Sequence, residues 1–244
     1  MSERGISLLL YSSMKKVVEY KKLWELDPDW DTLTPAQKEW LDSRIETVRF
    51  PKNAMIHSEG EQAMYMWVLI TGKVRIYKEG VGQRAQIIRL QKAHEAFGFR
   101  AVIAGDTYTS CASAFEPCEV YQIKGEDFVT LLQENNVFCY HVVKKLATDL
   151  AVSEIQTINL TQKHIRGRLA ESLITMRKKY GYDEDGCTLA LYISREDLAN
   201  MSNMTTSNAI RTLSQFAQEG LVSVDGRKIR VLNEDELKHI SRLG

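Results

Sequence analysis

From residue 47 to residue 123, short runs of β-branched and aromatic residues alternate with glycines at near-regular spacing. Met55-Ile56-His57 leads into Glu59-Gly60-Glu61. The run 65–70 leads into Thr71-Gly72-Lys73, and Val74-Arg75-Ile76-Tyr77 runs toward Gly80-Val81-Gly82. Gln86-Ile87-Ile88-Arg89-Leu90 follows, then Phe97-Gly98 and Gly105-Asp106, with strands expected at 107–115 and 119–123. Short strands about 8–12 residues apart, with turn residues between them, have to close on themselves or stack as two antiparallel layers. A parallel α/β sheet is excluded, because no helix-length segment separates the runs.

The flanks read as helix, so the chain is α+β. Residues 1–46 are helical with breaks. A segment at 14–24 carries Val17, Val18, Tyr20 and Leu23; Pro28 interrupts; Thr34-Pro35 supplies an N-cap and a first-turn proline. Leu33, Trp40, Leu41 and Ile45 give the next segment an apolar stripe. After a short helix at 126–133, one long helix is expected at 135–161, about 40 Å at 1.5 Å per residue. Val143, Leu146, Leu150, Ser153, Thr157 and Leu160 recur along it at alternating spacings of 3 and 4, the seam of a two-stranded coil. Ser153 and Thr157 are the polar members that set register in such a seam. The alternative is a helix packed on its own domain. The expected division is 1–134 for the N-terminal helices and β-structure, 135–161 for the dimerisation helix and hinge, and 162–244 for a C-terminal domain.

That last domain carries the most specific pattern. A helix at 162–180 places Ile165, Leu169, Leu173 and Met176 on one face, and 189–193 reads as a short strand. Ser194-Arg195-Glu196-Asp197 resembles a capping box with Asp in the last place. Ser202-Asn203-Met204 is a turn, and Thr205 caps a second helix whose buried stripe is Ala209, Leu213 and Phe216. Gly220 ends it, and Asp225-Gly226 joins two short strands. Helix, turn, helix and hairpin make a winged helix-turn-helix. Its second helix enters the major groove N-terminus first. Thr205, Thr206, Ser207, Asn208 and Arg211 then face double-stranded DNA. Arg211 is placed to fork onto guanine O6 and N7, and Thr206 and Ser207 suit phosphates or water-mediated contacts. Asn208 either reads adenine or serves the backbone. Arg195, Arg227 and Lys228 suit phosphates.

Composition removes several other classes. The net charge is +0, and residues 161–244 carry 13 Lys and Arg against 11 Asp and Glu, so charge alone does not point to nucleic acid. Cys111, Cys118, Cys139 and Cys187 form no CxxC and are expected as reduced, packed thiols. Histidines 57, 94, 141, 164 and 239 show no ligand spacing, so neither a metal nor a cofactor is expected. No nucleophile–base pair supports an enzyme. The early apolar run Ile6-Ser7-Leu8-Leu9-Leu10 is too short to span a bilayer or direct export, so a cytoplasmic protein with no membrane partner is expected. Gly80-Val81-Gly82-Gln83-Arg84-Ala85 spells a dinucleotide fingerprint, but a strand pattern follows it where a helix is required. Tyr65, Trp67 and Tyr77 are expected to fill the β-structure.

From about residue 35 to 232 the chain resembles the Crp/Fnr family of bacterial transcription regulators. The resemblance is carried by Ile56-His57-Ser58-Glu59-Gly60-Glu61, Leu69-Ile70-Thr71-Gly72-Lys73-Val74, Phe97-Gly98-Phe99-Arg100, Arg166-Gly167-Arg168-Leu169-Ala170 and residues 193–221. It implies an antiparallel β-roll of the cyclic-nucleotide-binding type, a dimerisation helix, and a homodimer on a pseudo-palindromic operator, with a hinge near 161–164. RNA polymerase is a further implied partner. The implied effector pocket comprises Gly98, Phe99, Arg100, Thr109, Ser110 and Ser153. This sequence departs from the cAMP-binding members there. Phe99 stands where they carry the ribose-binding Glu, and Thr109 where they carry the phosphate-binding Arg. Losing a charge-assisted bond costs about 1.5–3 kcal/mol, so no response to cAMP is expected. Another anion held by Arg100 with Arg84 or Arg89, or a ligand-free platform, remain as alternatives. No cysteine cluster for an iron–sulfur centre precedes Cys111. In the recognition helix, only Arg211 survives of the family's common Arg-Glu-x-x-x-Arg.

Overall fold

The structure is a computed structural model and describes residues 21–80 and 85–244. The expected features at 14–20 and Arg84 lie outside the described residues. The chain opens with three short helices, α1 Leu23–Leu26, α2 Pro28–Asp31 and α3 Pro35–Asp42. Pro28 starts a new helix after the break: Asp27 accepts from the Asp29 N–H and Pro28 sits at the first position. Thr34 accepts from the Gln37 N–H, and the Gln37 side chain accepts in return from the Thr34 N–H, a full capping box.

Eight strands follow: β1 Glu46–Phe50, β2 Met55–His57, β3 Tyr65–Thr71, β4 Val74–Glu79, β5 Ala85–Gln91, β6 Ala96–Phe97, β7 Cys111–Ala114 and β8 Cys118–Lys124. They form two antiparallel four-stranded sheets, ordered β1-β8-β3-β6 and β2-β7-β4-β5. Between them lies a core of Trp67, Leu69, Val74, Ile76, Phe97, Tyr108, Ala112, Ala114 and Val120. The other face of β3, with Met66, Val68 and Ile70, is covered by helices. Both faces of β3 are therefore buried, which is why its sequence is a continuous apolar run. The strand expected at 107–115 shortens to β7. Residues 107–110 are held instead as loop, with the Tyr108 N–H on Glu61 O and the Gly60 N–H on Tyr108 O. Glu79 pairs with Ala85 across β4 and β5, so a strand does follow the Gly80 turn and the dinucleotide pattern has no helix to open.

Helix α4, Phe99–Ala104, interrupts the strands, and α5, Gly125–Glu134, follows them. The long helix α6, Asn136–Gln162, is capped by Asn135, whose side chain accepts from the N–H groups of Val137 and Phe138. Only Phe138 of α6 is fully buried. Val143 and Leu150 are exposed, as are Val152, Ile155 and Ile158 off the expected seam. Leu146, on the expected seam, packs half-buried against the chain's own core beside Val142. It shares a face with Phe138, which faces the α1–α3 layer.

Lys163 and His164 are extended, and α7, Ile165–Tyr180, begins after them. The sequence reading ran this helix from 162. The actual break comes where the Lys163 N–H closes α6 on Asn159 O. Helices α8 Arg195–Met201, α9 Thr206–Gln218 and α10 Glu234–Leu243, with the hairpin β9 Val222–Asp225 and β10 Lys228–Val231, complete the C-terminal part. The strand expected at 189–193 is not formed. Leu189, Leu191 and Ile193 alternate into the core as expected, but only isolated bridges involve this segment. Cys118 is buried and the other three cysteines are half-buried, all as free thiols. Among the described residues no helix is long and apolar enough to cross a membrane, and no cluster could hold a metal ion.

The C-terminal part sits on the second sheet. Ile87, Leu90 and Phe115 join one buried cluster with Leu173, Leu191, Leu198 and Phe216. Tyr180 Oη donates to Leu90 O at 2.8 Å, and Arg75 of β4 pairs with Asp197 of α8 at 3.3 Å.

Candidate functional site

The turn between α8 and α9 is built as its residues suggest. Ser194 Oγ accepts from the Asp197 N–H at 3.0 Å and donates to Asp197 Oδ2. Asp197 does not reach back to the Ser194 backbone as a capping box requires; its other oxygen is taken by Arg75. Asn203 adopts φ 49°, the left-handed conformation Asn tolerates. Thr205 Oγ1 caps α9 by accepting from the Asn208 N–H at 3.3 Å. Ala209, Thr212, Leu213 and Phe216 face inward. Thr205, Thr206, Ser207 and Arg211 are exposed on the outer face, joined by Ile210. Asn208 is half-buried, and its Oδ1 accepts from Arg211 Nη2 at 3.1 Å. The side chain expected to read adenine or serve the backbone therefore orients the guanidinium beside it.

In the wing, Asp225 ends β9 and the two turn residues are Gly226, at φ 54°, and Arg227. Arg227 and Lys228 are exposed, and the Lys228 ammonium lies 5.2 Å from the centre of the Tyr192 ring. Arg195 is half-buried and donates to Gly226 O at 2.8 Å. It ties the start of α8 to the wing turn rather than extending freely outward.

Two residues of this region escaped the sequence reading. Arg168 donates to Ser202 O at 3.1 Å, Asn203 O at 3.2 Å, Lys163 O at 3.3 Å and Leu160 O at 3.4 Å. One side chain thus bonds the end of α6, the extended residue Lys163 and the helix-turn-helix turn. The second is Ile210, whose signal was an aliphatic residue off the Ala209, Leu213, Phe216 stripe.

The β-roll pocket lies over α4. Gly98, Phe99, Arg100, Thr109 and Ser110 all line it, with His57, Arg89, Gln91 and Tyr108. Ser153 does not; it is exposed on α6. The cavity holds about 40 Å³, against roughly 300–1,000 Å³ for a typical ligand site. Aromatic rings fill the space behind it. His57 stacks on Tyr108 with centroids 3.9 Å apart and on Trp67 at 5.1 Å, and Trp67 stacks on Phe97 at 5.4 Å. Tyr65 is half-buried at its edge, whereas Tyr77 packs toward the C-terminal cluster. Burial pushes the His57 imidazole down to about 4, and its Nδ1 has no hydrogen-bond partner. Burial likewise raises the Tyr108 phenol to about 12. Gly98 permits this crowding: at φ +81° an added Cβ would stand 2.8 Å from the Trp67 ring. Arg89 pairs with Asp149 of α6. Desolvation, and then the charge of Arg89, hold the Arg100 guanidinium below its ordinary value.

A two-sheet β-roll joined by a long helix to a winged helix-turn-helix defines a protein of the DNA-binding regulator class. The cyclic nucleotide-binding domain model matches residues 47–135, and the Crp-like helix-turn-helix domain model matches residues 167–240. The chain belongs to the Crp/Fnr family of transcription regulators. It is 25% identical over 195 residues to the cAMP-activated global transcriptional regulator CRP of Pasteurella multocida, covering 79% of this chain and 93% of that protein. It is 23% identical over 214 residues to the fumarate and nitrate reduction regulatory protein of Vibrio cholerae, covering 86% and 84%. FixK2 from Bradyrhizobium japonicum has the same fold, with a TM-score of 0.73 at 24% identity over 80% of this chain and 96% of that one. The Pasteurella multocida and Vibrio cholerae relatives are named as regulators.

Proposed function

We propose that the chain is a cytoplasmic homodimer that binds a pseudo-palindromic operator through α9 and the wing, without responding to cAMP. The observation that carries this reading is the outer face of α9. A capped, rigid helix presents Thr205, Thr206, Ser207 and Arg211 to solvent with its N-terminus leading, and Arg227 and Lys228 flank it on the wing. Backbone-positioning groups thus surround one guanidinium suited to guanine. Residues 135–161 supply the contact between protomers. Val143 and Leu150 are apolar and uncovered in one protomer, and two such helices bury them on each other. The two-fold axis then sets half-sites about 34–36 Å apart. RNA polymerase is the partner that such a bound dimer would address.

The reading of the β-roll rests on chemistry lost and space filled. Phe99 is buried where a ribose acceptor is needed, Thr109 supplies no cation, and 40 Å³ admits no nucleotide. The ligand such a pocket favours is a small anion on Arg89 and Arg100; without one, the β-roll is a platform for the dimer. Calorimetry with cAMP and cGMP should show no binding at micromolar concentration. The DNA reading is tested by selecting duplexes from a random library and titrating the selected site against salt. Arg211→Ala should abolish selectivity while the dimer persists, and the wild type should show a steep negative salt slope. Undiminished selectivity in Arg211→Ala would remove the assignment of α9.

A further inference from the structure

Apart from Ala217 near its C-terminal end, the outer face of α9 is polar except at Ile210. Thr206, Ser207, Ser214 and Gln215 are exposed and hydrophilic, and Ile210 among them is 47% exposed. A single exposed aliphatic residue is ordinary on a protein surface. Its address makes this one informative. Residue 210 is the fifth of α9, within the two leading turns that reach base edges when a recognition helix enters the groove. It follows Thr206 by four residues and Ser207 by three, so it lies directly above both on the helix surface. It also precedes Arg211, whose guanidinium is steadied by Asn208.

The major groove has one apolar feature, the C5-methyl group of thymine. A hydroxyl or amide at residue 210 would hydrogen-bond to base edges. Isoleucine can only offer hydrocarbon: against a base-edge donor or acceptor it would strip that group of water with no bond in return, whereas against a methyl group it buries hydrocarbon on hydrocarbon. We infer that Ile210 reads a thymine methyl, within one or two base pairs of the guanine taken by Arg211. The half-site then carries T and G within one or two base pairs of each other, one fixed by an apolar contact and the other by a forked hydrogen bond. This inference rests on the reading of α9 as the DNA-facing helix.

Burying one methyl group is worth about a fourfold change in affinity per half-site, or about fifteenfold for two. The test uses the full-length protein and a duplex selected from a random library. Each thymine in both half-sites is replaced in turn by deoxyuridine, which removes only the methyl. The wild type should weaken about fourfold per half-site at one thymine, close to the guanine whose loss mimics Arg211→Ala. Ile210→Ala should bind the thymine duplex more weakly by a similar factor and be indifferent to that same replacement. A flat deoxyuridine scan on a duplex whose selectivity still depends on Arg211 overturns the inference alone. So does Ile210→Ala losing affinity equally with every replacement. If no duplex is selected at all, the reading of α9 falls and this inference falls with it.

Discussion

Arg168→Ala removes the side chain that bonds the end of α6, the extended residue Lys163 and the helix-turn-helix turn. A hydrogen bond from a charged donor is worth about 1.5–3 kcal/mol. The bonds to Ser202 O and Asn203 O, at 3.1 and 3.2 Å, are the shorter pair; those to Lys163 O and Leu160 O are longer. Arg168 is half-buried, so water replaces part of what is lost. Counting the two shorter bonds at the low end gives a loss of about 3 kcal/mol. For a chain of this size that corresponds to a fall in Tm of about 6–12 °C. Differential scanning calorimetry measures the fall. Limited proteolysis reports its location, with faster cleavage expected at 161–164. Arg168→Lys should recover less than half of the loss, because an ammonium cannot spread over four carbonyls as a planar guanidinium does. A Tm within about 2 °C of wild type, with unchanged cleavage, would show that the carbonyls find equivalent partners and that Arg168 does not hold these segments together.

Four further outcomes are expected. The His57 pKa falls from 6.5 to about 4 on folding, so the unfolded chain takes up the proton first as the pH drops. Stability from this residue is complete above about pH 6.5 and is lost toward pH 4, by about 3 kcal/mol in all. Urea titrations between those values should show the slope, and His57→Phe should flatten it. Gly98→Ala forces a Cβ onto Trp67 at a positive φ and should cost about 1–3 kcal/mol, with a shift in tryptophan emission as the buried ring moves. Phe115→Ala should destabilise by about 3–5 kcal/mol, measured by urea midpoint, since this residue joins the sheet to the C-terminal cluster. Arg75→Ala, which breaks a part-exposed ion pair with Asp197, should cost under about 1 kcal/mol in the same assay; the reverse ranking would mean that charge holds the two parts together.

Local chemistry made much of this fold legible. Short β-branched and aromatic runs between glycines marked both sheets, and the caps at Thr34, Asn135, Ser194 and Thr205 stand where helix starts were expected, within a residue. What stayed hidden depends on partners distant in sequence. Leu146 has the spacing of a seam residue and also packs half-buried on the chain's own core. Asp197 has the spacing of a capping-box acid, but Arg75, 122 residues away, takes its free oxygen. Residues 189–193 have the alternation of a strand and lack a continuous ladder partner. The pocket residues 98–100 and 109–110 came from the resemblance to the cyclic-nucleotide-binding members, not from their own spacing. The stacking of His57, Tyr108, Trp67 and Phe97 was not legible, since rings from β2, β3, β6 and a loop meet only when both sheets are in place.

The seating of the C-terminal part on Ile87, Leu90 and Phe115 carries one more implication. Any swing at Lys163 and His164 that lifts this part away wets hydrocarbon. Wetting hydrocarbon is opposed by a force that weakens on cooling and carries a large heat capacity. Cooling therefore loosens the seat of the C-terminal part on the second sheet, and warming firms it.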